Sequence, residues 1–134
     1  MIDFSAHQVG AFGEKQCVKY VKRTKKFKII GKNVTIGKLE ADIIATNKEY
    51  IVFIEVKTRR IDKHNSHRPA SAVDKSKRTN LINFANSYCK SLPKKHSGKI
   101  PRIDVCEIQV IAEGKLKVCE LNYIENAVSK ESAY

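Results

Sequence analysis

Ile36-Gly37-Lys38-Leu39-Glu40-Ala41-Asp42-Ile43-Ile44-Ala45, followed by Tyr50-Ile51-Val52-Phe53-Ile54-Glu55-Val56-Lys57, decides how this chain folds. Two apolar runs rich in β-branched residues flank Thr46-Asn47-Lys48-Glu49, the pattern of a β-hairpin. Both runs carry carboxylates. Alternate residues of a strand share a face, so Glu40 lies with Asp42 on the first strand, and Phe53, Glu55 and Lys57 lie together on the second. An ion among aliphatic neighbours is costly to desolvate unless a partner compensates it. An Asp on one strand and Glu-x-Lys on the next is a way to build a divalent-cation site beside an ammonium. A salt bridge between the hairpin strands is the plainer alternative.

Upstream, residues from about Ser5 to Thr24 are expected to form a helix. Gly10, Ala11, Glu14, Cys17, Val18 and Val21 fall on one stripe at helical spacing, opposite Lys15, Lys19, Lys22 and Arg23. Glu14, at the centre of the apolar stripe, is in an unusual position for a solvated carboxylate. Either it pairs with the sheet, with Lys57 as the candidate, or it borders the metal site. Gly10 and Gly13 each weaken a helix by about 1 kcal/mol relative to Ala, and close approach to a sheet is the expected compensation. Lys25 to Val34, with Phe27, Ile29 and Ile30 among lysines, reads as a first strand near a sheet edge, where lysines are frequent.

Downstream, Thr58 to Ala70 loses all periodicity. It is expected to be a mobile basic loop (58–70) whose Arg59, Arg60, Lys63 and Arg68 reach phosphates, the alternative being a solvated loop without function. Ser71-Ala72-Val73-Asp74 has the form of a capping box in its acidic variant. It opens a second helix whose apolar face is Ala72, Val73, Leu81, Ile82, Phe84, Ala85, Tyr88 and Cys89, running to about Leu92. Lys75, Lys77 and Arg78 in its first turns oppose the helix dipole, and a phosphate ligand would explain them. Pro93 to Gly98 reads as a loop. Ile103 to Ile111 and Lys115 to Leu121 form a second hairpin turning at Ala112-Glu113-Gly114. Asn122 to Val128 closes the chain and residues 129–134 are a frayed end.

The 134 residues are the size of one domain, and neither repeats nor a second domain are visible. Lys and Arg number 26 against 14 Asp and Glu, a net charge of +12 that favours a polyanionic partner, nucleic acid or an anionic membrane surface. No apolar run approaches the ~20 residues that span a bilayer. Met1-Ile2-Asp3-Phe4-Ser5 lacks the charged-then-apolar pattern of a signal peptide, so a cytoplasmic location is expected. Cys17, Cys89, Cys106 and Cys119 show no C-x-x-C spacing and read as small hydrophobes without a zinc knuckle, disulfides or catalytic duty. His7, His64, His67 and His96 fall in polar or terminal stretches and read as solvated. With no Trp and few aromatic residues there is no stacking platform for single-stranded bases, which favours a duplex or branched substrate.

Taken in order, these segments resemble the YraN-like family of small bacterial proteins, within the restriction-endonuclease-like PD-(D/E)xK superfamily. The resemblance runs nearly end to end. It is carried by Gly10-x-x-Gly13-Glu14, Glu40-Ala41-Asp42, Phe53-Ile54-Glu55-Val56-Lys57-Thr58-Arg59, Ala72-Val73 with Lys77-Arg78 and Ala85, Arg102-Ile103-Asp104-Val105, and Glu125-Asn126-Ala127. Leu39 stands where the family usually has Gly, and Ala41 replaces a bulkier aliphatic. The resemblance implies one nuclease-like α/β domain over 1–134: a central mixed β-sheet flanked by helices, similar to Holliday-junction resolvases. It also implies Asp42, Glu55 and Lys57 as a catalytic set with Glu14 as an auxiliary acid.

Oxygen-rich sites suit Mg²⁺ or Mn²⁺. Asp42 and Glu55 are the expected metal ligands, with the Val56 backbone carbonyl as a third. Lys57 is expected to orient or deprotonate the attacking water, or to offset developing charge. Arg59, Arg60, Lys77 and Arg78 are expected to bind nucleic acid through phosphates, which positions a strand without reading its sequence. The expected function is that of a metal-dependent phosphodiesterase, a DNA endonuclease acting on duplex or branched DNA, with RNA as a further substrate class. The alternatives are a nucleic-acid-binding protein that keeps the fold without turnover, and a structural protein with an acidic partner such as ribosomal RNA. The sequence does not fix the oligomeric state; a homodimer is one form it allows. From charge alone, affinity for duplex DNA is expected to fall steeply with salt. Titrations at several salt concentrations check this, and a flat response would point to a protein partner instead.

Overall fold

The structure is a computed structural model and describes residues 4–61 and 75–127. Ser5 starts the first helix as the sequence suggests. Its hydroxyl accepts the Gln8 N–H at 3.1 Å, and the Gln8 side chain accepts the Ser5 N–H at 2.8 Å. Two otherwise orphaned donors are thereby satisfied, and α1 runs Ala6–Tyr20. A π-helical turn, Val21–Lys25, then ends at Lys26 in the left-handed conformation, φ 60°. The first strand therefore begins three residues later than expected, as β1, Lys28–Ile36.

β2 (Leu39–Thr46) and β3 (Tyr50–Ile61) form the expected hairpin. Helix α2 (Lys75–Cys89) crosses back to β4 (Ile100–Glu113), and β5 (Lys115–Ile124) completes a second hairpin after Gly114, φ 75°. Among the described residues the sheet has five strands in sequential order, β1-β2-β3-β4-β5, with β1 at one edge. β3 and β4 are parallel and the other pairs antiparallel. This is the mixed α/β architecture expected.

The apolar run Ile51–Ile54 is buried at every position because the sheet is covered on both faces. Ile51 and Phe53 point toward α2, meeting Leu81, Phe84 and Ala85 together with Ile44, Ile103 and Val105. Val52 and Ile54 point toward α1, meeting Val9, Cys17 and Val21 together with Ile43, Cys106 and Ile108. A buried carboxylate, Asp104, ties the far end of the α1 face. It accepts from Arg102 Nε and Nη2, both at 2.9 Å, from the Tyr123 hydroxyl at 2.6 Å and from the Asn126 N–H at 2.8 Å.

Several expectations are corrected. Thr58–Ile61 is not loop: it continues β3 and pairs in register with Ile108–Ile111 of β4, which supplies the backbone partners that a polar stretch cannot find alone. Residues 62–70 of the expected loop, the Ser71–Asp74 cap and the 129–134 tail lie outside the described residues. The buried stripe of α1 is Val9, Gly13 and Cys17, continued by Val21 of the π-turn; Ala11 is exposed and Glu14 sits beside the stripe. His96 is buried rather than solvated. The four thiols are free, with Cys17 and Cys106 fully buried.

The two helix glycines differ in kind. A Cβ at Gly13 would lie 1.9 Å from Thr58 Oγ1 and 2.9 Å from Thr58 Cβ, so the helix approaches β3 here as closely as its backbone allows. At Gly10 nothing lies within 4 Å, and close approach is not its reason. Gly13→Ala is therefore expected to destabilise by about 1–3 kcal/mol through overpacking. Gly10→Ala is expected to stabilise by roughly 0.5–1 kcal/mol through helix propensity. Urea unfolding of the two variants checks both signs.

Candidate active site

The β2–β3 ladder stops at Ile43 and Ile54. The next residues, Asp42 and Glu55, do not continue it. Instead the Asp42 carboxylate (Oδ2) accepts the Val56 N–H at 2.9 Å, a side chain taking the place of a backbone partner where the strands part. An extended residue turns its N–H and C=O to the same side, so the Val56 carbonyl faces the same opening. Asp42 and Glu55 follow the alternation of Ile44 and Phe53 and so lie on the α2 face.

There the two carboxyl groups meet in a hydrogen-bonding contact. Burial, and then the charge of Glu55, push the Asp42 carboxyl up to about 6; the Val56 N–H and Lys77 oppose the rise. Glu55 is only 4% exposed. From the first turn of α2, Lys77 reaches it in an ion pair, its own side chain about half exposed. In the structure the Lys77 ammonium, expected at a phosphate, is on the Glu55 carboxylate. That partner also explains a cation at a helix start, where the dipole disfavours it.

Lys57 lies two residues beyond Glu55, half-buried on the same face, opposite Glu107 in the parallel register with β4. Arg59 follows on that face. Arg60 does not: it turns to the α1 side and donates to the Phe4 carbonyl at 3.4 Å, which separates it from the carboxylate pair. Arg78 is half-buried on α2. Lys63 and Arg68 lie outside the described residues.

Glu14 approaches from α1. Its side chain bonds Asn33 of β1, and its proton affinity is raised by burial first and by Asp42 next. Glu40 adds to the rise and Lys32 opposes it. Of the two alternatives for Glu14, no pair with Lys57 is seen among the described residues; Glu14 instead bonds Asn33 of β1 and feels the charge of Asp42 on β2. Asn33 and Glu107 were not legible as site neighbours. The signal for Asn33 is conformational: it has φ 51° in a strand, a left-handed state that Asn tolerates better than most residues.

Among the described residues no three His, Cys, Asp or Glu side chains surround one point. The donor set is therefore a carboxylate pair with a backbone carbonyl alongside. That suits an ion such as Mg²⁺, which is usually held by one or two carboxylates and keeps much of its water. Burial, and then the charge of Glu55, keep the Asp42 pKa raised even with Lys77 present.

A small α/β protein with a carboxylate pair at an opening in its sheet is the class that fold and site define. The family model described as "Uncharacterised protein family UPF0102" matches residues 13–108. The UPF0102 protein TTE1452 of Caldanaerobacter subterraneus subsp. tengcongensis is 38% identical over 119 residues, covering 89% of this chain and 93% of that one. A UPF0102 protein of Syntrophomonas wolfei is 35% identical over 121 residues, covering 90% and 96%. The chain belongs to the UPF0102 family. Among solved structures, the crystal structure of a repair endonuclease from Pyrococcus abyssi aligns with a TM-score of 0.38 at 19% identity, covering 85% of this chain and 42% of that one. This chain therefore spans less than half the length of that structure.

Because folded Asp42 holds its proton more tightly than the unfolded chain does, its protonation adds stability. That stability is fully present below the ordinary value of 3.8 and is lost as pH rises through about 6. In metal-free buffer, the stability of the parent relative to Asp42→Asn is expected to fall across that window by no more than about 3 kcal/mol. Urea midpoints at half-unit pH steps check it, and a flat difference overturns the assignment.

Proposed function

We propose that this protein is a metal-dependent phosphodiesterase acting on nucleic acid, an endonuclease of duplex or branched DNA. The observation that carries the reading is the convergence of Asp42 and Glu55 where β2 leaves β3, with the charge of Glu55 helping to raise the Asp42 pKa. A protein that only bound phosphates would gain nothing from paired carboxylates that repel them. The net charge of +12 supports a polyanionic substrate.

In this reading Asp42, Glu55 and the Val56 carbonyl would hold Mg²⁺ or Mn²⁺. The ion would polarise the phosphoryl oxygen and lower the pKa of water. The chain's own residues do the rest. Asp42 would need to be ionised, its proton passing to solvent, for the pair to hold a cation. Lys77, paired with Glu55 in the structure, would be available to the substrate phosphate once a cation neutralised that carboxylate. Lys57 orients the attacking water or offsets charge gathering on the phosphoryl oxygens. Glu14 keeps negative charge at the back of the opening through Asn33. Arg59 and Arg78 contact the strand through phosphates.

The Lys77–Glu55 ion pair also favours a second reading, a nucleic-acid-binding protein that keeps the fold without turnover. Nicking of supercoiled and branched DNA separates the two, with activity expected in Mg²⁺ or Mn²⁺ and none in EDTA. Asp42→Ala and Glu55→Ala are expected to abolish nicking while leaving metal-free DNA affinity equal or improved, since each removes a charge that repels the backbone. Lys57→Ala is expected to slow nicking by about 10²-fold or more and to weaken binding slightly. If all three variants melt far below the parent, and Mg²⁺ neither raises the parent's melting point nor supports cleavage, the residues form a structural ion network and the catalytic reading fails.

A further inference from the structure

At the opposite end of the α2 face from the carboxylate pair lies a cluster of cations with no ion-pair partner among the described residues. Lys28 opens β1 and pairs in register with Thr46, the last residue of β2. The Thr46 hydroxyl donates to the Tyr50 carbonyl at 2.9 Å, so its oxygen is left to accept, and Lys99 Nζ donates to it at 2.8 Å. The same ammonium lies 3.1 Å from Nδ1 of the buried His96. An ammonium has no acceptor, so Nδ1 accepts and the imidazole is neutral. Lys95 follows in the turn Lys94–His96 and is exposed.

The order of Lys99 needs a reason. Its ammonium is half-buried and held by two neutral acceptors, and none of the ion pairs among the described residues involves Lys28, Lys95 or Lys99. A partly desolvated cation fixed without an anion is poised for a charge-assisted hydrogen bond to one. Glu49, the acid of the neighbouring turn, is exposed; its carbonyl accepts the Ile100 N–H at 2.9 Å, which holds the start of β4 beside the cluster. The proximity of the charges is also felt by His96: burial, then Lys99, Lys95 and Lys28, lower its proton affinity.

We infer that Lys28, Lys95 and Lys99, with Lys99 fixed by Thr46 and His96, form a second contact for the nucleic-acid backbone, apart from the carboxylate pair. Along β3, Tyr50 and Glu55 are five residues apart, about 17 Å at the rise of a strand. Base pairs rise ~3.4 Å along a duplex axis, so a duplex lying along β3 would cover the distance between the cluster and the carboxylates in about five base pairs. The inference rests on the proposed nucleic-acid substrate, but not on its cleavage.

The test is binding of a 20-base-pair duplex in EDTA, followed by fluorescence anisotropy across a range of salt. The Lys28→Ala/Lys95→Ala/Lys99→Ala variant is expected to bind about tenfold or more weakly near 0.1 M salt, with the log–log salt slope reduced by about 2 to 3. Lys115→Ala/Lys117→Ala, which removes charge from exposed positions of β5, is expected to change the slope much less. If the triple variant does not fold, the Lys28→Ala/Lys95→Ala pair gives the same comparison with both side chains exposed. Equal losses at the two places mean diffuse attraction and overturn the site, as does an unchanged slope in the cluster variant. Inorganic phosphate that shifts the His96 ring resonances where duplex does not would overturn the assignment to a nucleic-acid backbone. A parent that binds with the expected slope and never nicks DNA removes the nuclease reading and leaves this contact standing. A cluster variant that still nicks DNA and keeps the parent's salt slope removes this contact alone.

Discussion

The Asp42 carboxylate accepts the Val56 N–H where β2 leaves β3, and the character of the site follows from that bond. A ladder that continued would have tied Asp42 and Glu55 into a closed sheet. A ladder that ended without a replacement would have left a backbone donor unsatisfied. The side chain lets the strands part while keeping the donor paired, and its other interactions bring it against Glu55. The opening can form because the sheet is held elsewhere, by β3–β4 pairing along the whole length of β3 and by helices on both faces.

Charge is distributed along the α2 face in a way that composition does not reveal. Carboxylates gather at one end of that face, and lysines without ion pairs among the described residues at the other, with α2 packed between them. The proposed chemistry needs negative charge only where a cation is to be held, and positive charge where a polyanion is to lie. Lys77 stands between these requirements. It neutralises Glu55 now, and in the proposed mechanism it would be available to the phosphate once a cation neutralised that carboxylate.

The β2–β3 hairpin, the helices before and after it and the second hairpin were legible because burial on one or both faces imposes a period on the sequence. The end of β3 was not. Thr-Arg-Arg-Ile has no apolar alternation, and it is a strand because β4 lies beside it. The face of α1 was misplaced by about one residue, since Ala11 and Glu14 fit a helical stripe as well as Val9 and Gly13 do; contact with Thr58 decides between them. His96 looked like a loop histidine because its acceptor role depends on Lys99, and on a turn that brings β4 to the end of β2.

The sequence by itself determined which residue types were available for chemistry, and on which strand and face Asp42, Glu55 and Lys57 would stand, because strand alternation is a local rule. It also determined the excess of positive charge. Only the tertiary structure decided their partners. Lys77 meets Glu55 across a helix–sheet interface, Glu14 meets Asn33 across another, and Arg59 and Arg60 part to opposite faces. Ion pairs and hydrogen bonds act over a few ångströms between residues far apart in the chain, so their choice of partner is set by how the elements pack and not by spacing along the sequence.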